Sequence, residues 1–280
     1  MNTVALFGAA GKVGARVVDK LRDDPDVDLL CVEAGEAGLA ALRERGLEPT
    51  DQAEAIERAD TIILAVPDTV IGAVATEIVP QLESGTMVML LDPAAARAGE
   101  LPEREDVAYF VVHPCHPPFT SEEMTAEARG DYWGGTARQS IVCALMQGTE
   151  EDYAKGEGLA RKMFAPILDA HRITVEQMAI LEPAMAETVI LTCMAVIKES
   201  VEEAIRRGVP RQVAYDFALG HMRVTLGMLF DFIDAEASDG AKLAMRRGKE
   251  AIFQSDWKKV FEPDNVMEQV KAIVEGGQDG

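Results

Sequence analysis

Thr3-Val4-Ala5-Leu6-Phe7-Gly8-Ala9-Ala10-Gly11-Lys12-Val13-Gly14 opens the chain with an apolar run that breaks into three glycines spaced three apart. An apolar run of β-forming residues reads as a buried strand, and the residues from Lys12 onward follow a helical period. A G-x-x-G-x-x-G turn between strand and helix meets three physical demands. Gly8 allows a tight turn, Gly11 lets backbone approach a ligand closely, and Gly14 lets helix and strand pack together. The helix N-terminus then presents backbone N–H groups to an anion, here the pyrophosphate of a dinucleotide. Gly8, Ala9, Ala10, Gly11, Lys12 and Val13 are therefore the expected phosphate loop.

The segments that follow repeat the strand–helix alternation of a parallel α/β sheet. Strands are expected at Thr3–Gly8, Val27–Val32, Thr61–Val66, Thr86–Asp92 and Ala108–His113. A further strand is expected at Ser140–Met146, a helix at Glu151–Leu168, and a short strand at Arg172–Val175. Glu33, at the end of the second strand, can accept hydrogen bonds from ribose hydroxyls and repels a 2′-phosphate, which favours NAD over NADP. Val66, Pro67 and Asp68 end another buried strand and should lie along the cofactor, with Asp92 nearby at the next strand end.

From Glu176 the pattern is helical, broken at Gly208-Val209-Pro210 and around Ala237–Gly240. The expected architecture is an N-terminal Rossmann domain over residues 1–175 and an all-helical substrate and dimerisation domain over 176–280. Met178–Ile205 is apolar on nearly every side, so other helices or a second subunit should surround it. A homodimer is the expectation.

Bulk composition narrows the function. The chain has 280 residues, and its 48 acidic against 27 basic residues give a net charge of −21. That field disfavours nucleic acid and anionic lipid as partners, and any acidic substrate must be recognised by a local site. Cys31, Cys115, Cys143 and Cys193 are scattered and read as small core residues in a reducing cytoplasm. The most apolar stretch, Thr61 to Pro80, is interrupted by Pro67, Asp68 and Glu77, and no membrane span is expected.

Two of the four histidines fall in His113-Pro114-Cys115-His116-Pro117-Pro118-Phe119. The preceding strand should place this loop at the carboxyl edge of the sheet, and its prolines stiffen it. Imidazole suits the proton transfer that accompanies hydride transfer, and His-x-x-His also offers two metal ligands. Glu187 is a carboxylate within the most apolar helix. Glu182 lies five positions earlier, roughly 140° away round an α-helix, so only one of the two is expected at the site. Glu187 is preferred, because Glu182 falls near the helix entrance.

The order of these motifs resembles the 6-phosphogluconate dehydrogenase-like superfamily along essentially the whole chain. Sugar-acid dehydrogenases of that group carry Lys and Asn one turn apart on the central helix. Here Lys198 is followed by Ser200 and Glu202, with no Asn, which argues against decarboxylation of 6-phosphogluconate. The loop H-P-C-H-P-P-F (113–119) and the helix L-E-P-A-M-A-E-T (181–188) resemble the D-apionate oxidoisomerase family more closely. That resemblance implies NAD-dependent oxidation of a branched sugar acid, with a carbon shift, to a 3-oxo acid. It also implies a divalent metal, zinc or magnesium, on His116 and Glu187, with His113 as an adjacent base or polar group. Prephenate-dehydrogenase-like and imine-reductase-like activities share the fold plan, and a non-catalytic NAD-binding sensor is the reading outside enzymology.

Overall fold

A computed structural model describes residues 1–119, 123 and 125–276. The chain runs β1 (Asn2–Phe7), α1 (Lys12–Leu21), β2 (Val27–Val32), α2 (Glu36–Glu44), α3 (Gln52–Arg58), β3 (Thr61–Leu64), α4 (Asp68–Ile78) and β4 (Met87–Leu90). It continues through α5 (Ala94–Ala98), β5 (Ala108–Pro114), α6 (Ala126–Gly130), β6 (Gln139–Gln147), α7 (Glu150–Met163) and β7 (Ile167–Arg172).

The seven strands form one sheet in the order β2-β1-β3-β4-β5-β6-β7. Each strand from β1 to β5 pairs in parallel, and both faces are filled. Ala5 and Phe7 pack into one core layer, while Val4 and Leu6 pack into the other. Such double burial is why these strands read as continuous apolar runs rather than alternating ones. Chain order reverses between β1 and β3, so the crevice beyond their carboxyl ends is the place for a ligand.

Three expectations need correction. The sheet is not parallel throughout: β6 runs antiparallel to β5. Among the described residues of the 115–138 connection the one helix is the five-residue α6, whereas a crossover to a parallel neighbour is usually carried by a longer helix. The helix expected to reach Leu168 ends at Met163, because Pro166 cannot continue it. Ile167–Arg172 instead becomes β7, ending where the sequence reading begins its strand. The third concerns the apolar helix: α8 (Val175–Ala179), a π-helical segment (Ile180–Leu191) and α9 (Thr192–Arg206) succeed one another without a break. A π-helix bonds residue i to i+5, so the 140° separation of Glu182 and Glu187 reckoned for an α-helix does not hold there.

The chain divides into two compact units. The first comprises Met1–Pro183 together with the segment from Val266, which contains most of the last helix. The second is Ala184–Asn265 and is helical, with α9, α10 (Arg211–Leu229) and α11 (Asp239–Ile252). The final helix, α12 (Pro263–Glu275), buries Val266 and Val270. Few residues of the second unit are buried, Val201 and Ala214 among them, while Phe217, Leu219 and Phe230 are 66%, 60% and 66% exposed. On α9 itself Met194 and Val196 are exposed, so of the two expected coverings, other helices or a second subunit, the described helices of this chain do not supply a complete one. By length and composition the helix Val175–Arg206 is apolar enough to cross a membrane, contrary to the ranking that puts Thr61–Pro80 first. Its first turns, however, sit in the α/β core, where Val175, Met178 and Ala179 are buried.

All four cysteines are free thiols. Cys31 and Cys143 are core residues as expected, whereas Cys115 is exposed in the histidine loop.

Candidate active site

The glycine loop has the geometry its spacing implies. Gly8 sits at φ 81, and a Cβ there would lie 2.4 Å from the Ala65 carbonyl oxygen. A Cβ on Gly14 would lie 2.0 Å from the oxygen of Gly8. Both positions are closed to any side chain. Gly11 caps α1 without a side-chain hydrogen bond, so the first helical turn presents backbone, with Lys12 and Val13 exposed beside it. The Ala10 N–H donates to the Glu33 carboxylate at 2.5 Å. Glu33 therefore ties the end of β2 to the loop. Val66 and Pro67 follow β3, and Asp68 is the first residue of α4.

The chemistry gathers at the carboxyl ends of β4 and β5. Leu90 pairs with Val111, so Asp92 and His113, each two residues further on, emerge side by side. Glu182 joins them from the start of the π-helix. One ligand atom from each of Asp92, His113 and Glu182 can be chosen so that all lie within 4.8 Å of one another. Among the described residues this is the one group with the makings of a metal site.

His113 is held in a defined orientation. Its Nδ1 lies 2.8 Å from the Leu91 carbonyl, which can only accept, so Nδ1 carries hydrogen. Nε2 is turned toward Glu182, 3.4 Å away, and is the atom left for a proton or a metal. Asp92 accepts from the Ala94 N–H at 2.8 Å and lies 3.9 Å from the His113 ring.

Three carboxylates crowd this imidazole, and their protonation reflects it. Burial, with the Asp92 charge behind it, pushes Asp68 up to about 6. Burial raises Asp92 even though the Ala94 N–H and His113 work to lower it. Glu182 is raised chiefly by burial, with the pull of His113 too weak to reverse the shift. A chain that desolvates like charges together carries an electrostatic cost that a bound cation would offset. Two carboxylates and one imidazole suit a hard or borderline divalent ion.

His116 stands near this group. Its backbone is left-handed at φ 60, uncommon for a residue with a Cβ and the kind of strain that collects at functional sites. Its ring stands edge-on to Trp133, with centroids 5.4 Å apart, and 6.2 Å from the His113 ring. Burial lowers its pKa, so the ring is neutral near pH 7. The structure thus brings His113 and His116 together, but His116 is not one of the three clustered ligands. Glu187, the other ligand implied by resemblance, is exposed and lies in the second unit. Glu182, set aside in the sequence reading, is one of the three clustered residues, and Glu187 is not. The register of β4 against β5 could have found Asp92, and the π-helix is what a residue count on α-helical spacing misses.

The model of the acetohydroxy acid isomeroreductase NADPH-binding domain matches residues 2–161, and that of the phosphogluconate dehydrogenase (decarboxylating) C-terminal domain matches 121–274. A D-apionate oxidoisomerase from Cupriavidus necator is 46% identical over 96% of this chain and 98% of its own. One from Rhizobium rhizogenes is 45% identical over 98% of this chain and 100% of its own. A crystal structure of a semialdehyde dehydrogenase NAD-binding protein from Cupriavidus necator, in complex with calcium and NAD, superposes with a TM-score of 0.95 at 46% identity. That match covers 98% of this chain and 99% of the other. On these matches and this site, the chain belongs to the D-apionate oxidoisomerase family, an oxidoreductase branch of the 6-phosphogluconate dehydrogenase-like superfamily.

Proposed function

We propose that this protein oxidises a branched sugar acid of the D-apionate type with NAD, with isomerisation to a 3-oxo acid, and that a divalent metal held by Asp92, His113 and Glu182 assists. The observation that carries the reading is the convergence of those three side chains at the sheet edge that also bears the glycine loop. Gly8 to Val13 would hold the pyrophosphate, Glu33 the ribose, and Val66, Pro67 and Asp68 would border the cofactor. Glu33 at the ribose position disfavours a 2′-phosphate, which supports NAD although one matching domain model is described as NADPH-binding.

When bound, NAD supplies the hydride acceptor and a zinc or magnesium ion polarises the oxygen on the carbon being oxidised. The residues themselves orient the substrate and manage protons. The Leu91 carbonyl fixes the ring of His113 so that Nε2 addresses the reacting end. His116, neutral because it is desolvated, can accept the hydroxyl proton. Asp68, which changes protonation near pH 6, can hold a proton beside the cluster. Glu187 remains a candidate second carboxylate, five residues beyond Glu182 in the π-helix.

A cytoplasmic homodimer accords with free cysteines and with the exposed apolar side chains of the second unit. The helical region from residue 176 would serve substrate binding and dimerisation. The test is NADH formation at 340 nm with branched and linear sugar acids, with the product identified by mass and carbonyl trapping. Oxidation of a branched acid to a 3-oxo product is expected. Turnover of linear 2-hydroxy acids in preference, or none with any acid, would overturn the assignment.

A further inference from the structure

A pocket of about 240 Å³ opens beside the histidines, and its lining includes His113, His116, Glu182, Arg16, Lys20 and Trp133. At ~30 Å³ per water this is room for roughly eight waters, the scale of a small sugar acid and far below that of a dinucleotide. The two cations on α1 are differently employed. Lys20 Nζ donates to the Gly135 carbonyl at 2.7 Å and is committed to the loop. The Arg16 guanidinium lies 4.6 Å from the centre of the Trp133 ring. Among the described residues no carboxylate comes within 4.0 Å of it. A partly buried arginine that has a stacking partner and, among the described residues, no carboxylate within ion-pair reach is conspicuous in a protein of net charge −21.

The loop that carries Trp133 is built to stay still. Asp131 accepts from four backbone N–H groups, those of Trp133 (3.0 Å), Gly134 (3.1 Å), Thr136 (2.9 Å) and Ala137 (3.1 Å). Lys20 ties the same loop to α1, and the Trp133 carbonyl faces His116 Nδ1 at 3.4 Å. Trp133 is thereby fixed between Arg16 and His116, and it sets the plane in which the guanidinium fork can meet a ligand.

The geometry points to Arg16 as the anchor of the substrate carboxylate, with Trp133 positioning it and the reacting hydroxyls reaching His113 and Glu182 in the same pocket. This assignment rests on the sugar-acid reading above. It makes Arg16 a specificity determinant: a planar, bidentate donor selects an acid over the same molecule without its charge.

The test compares D-apionate with its carboxamide. In the wild-type enzyme the acid binds more tightly than the amide. Arg16→Met should raise KM for the acid roughly 10- to 100-fold, the scale of a lost charge-assisted hydrogen bond. The amide inhibition constant and KM for NAD should stay within about twofold, and Arg16→Lys should recover part of the loss. An equal rise in KM for NAD would assign Arg16 to the cofactor phosphates, and unchanged acid discrimination would remove it from the site; either result overturns the inference. A second arm does not need turnover. Trp133 and Trp257 are the only tryptophans, so Trp257→Phe leaves Trp133 fluorescence as a reporter of acid binding. Saturable quenching by D-apionate, lost in Arg16→Met, would support the anchor even if no oxidation occurred, whereas no quenching in the parent would refute it.

Discussion

The two units of this chain solve opposite problems. The α/β unit has a complete core on both faces of its sheet and can therefore concentrate unfavourable features at one edge. Three carboxylates are desolvated around His113, and His116 is held in a left-handed conformation. The second unit shows the reverse: few buried residues, and large apolar side chains such as Phe217, Leu219 and Phe230 facing outward. The contrast teaches where each kind of cost is offset. Charge gathered in a rigid site would be relieved by a ligand, and apolar surface on helices by another protein surface.

The comparison breaks if the crowded edge is merely structural. Glu182→Gln and His113→Ala should each lower kcat at least about a thousandfold, in line with loss of metal-assisted charge stabilisation. Added divalent cation should raise the melting temperature of the wild type but not of either variant. Equal melting shifts in all three proteins would place the cation elsewhere.

On the apolar side, Leu219→Arg should weaken self-association by about a hundredfold, as burying an unpaired charge at an interface does. Light scattering across a dilution series would show it. A wild type that stays monomeric at high concentration would end the dimer proposal.

The Asp131 hub is a finer test, because it serves site rigidity from within the self-sufficient unit. Burial works to raise its pKa, but the four backbone donors win and leave it lowered. The sign follows: its stabilising contribution is present above the ordinary aspartate pKa and is lost as pH falls through the depressed value. Asp131→Ala should cost about 1.5–3 kcal/mol near neutral pH, read by urea unfolding, with the difference shrinking in acid. A constant difference at every pH would mean that packing rather than charge is at stake.

The smallest effect is expected at Glu33. Replacement by Gln should weaken NAD about tenfold and narrow the preference over NADP, measured as the ratio of kcat/KM values. An unchanged ratio would leave cofactor choice to other residues.

What could be read in the sequence follows from the physics of each feature. The glycine loop, the strand-two acid and the His-Pro loop are local patterns fixed by backbone requirements, and they landed where expected. Asp92 was within reach, because its strand lies beside that of His113, but pairing register is a tertiary fact. Glu182 was passed over for a definite reason. An α-helical angle, applied to a segment that winds as a π-helix, made Glu182 an alternative to Glu187, and its place near the helix entrance decided against it. The turn of the chain at Pro166 was misjudged through a helix carried past a proline, and the antiparallel β6 through a connection whose described helix is only five residues long. Arg16 carried no motif, since its meaning depends on Trp133, more than a hundred residues away.

The central claim is that a divalent ion on Asp92, His113 and Glu182 assists NAD-dependent oxidation of a branched sugar acid. It is tested most directly by NADH formation from D-apionate in the wild type, Glu182→Gln and Glu187→Gln, each after chelation and again after magnesium or zinc is restored. The account predicts activity lost on chelation and regained with metal in the wild type, and never regained in Glu182→Gln. Full activity in chelator, or loss in Glu187→Gln with Glu182→Gln unimpaired, would contradict it.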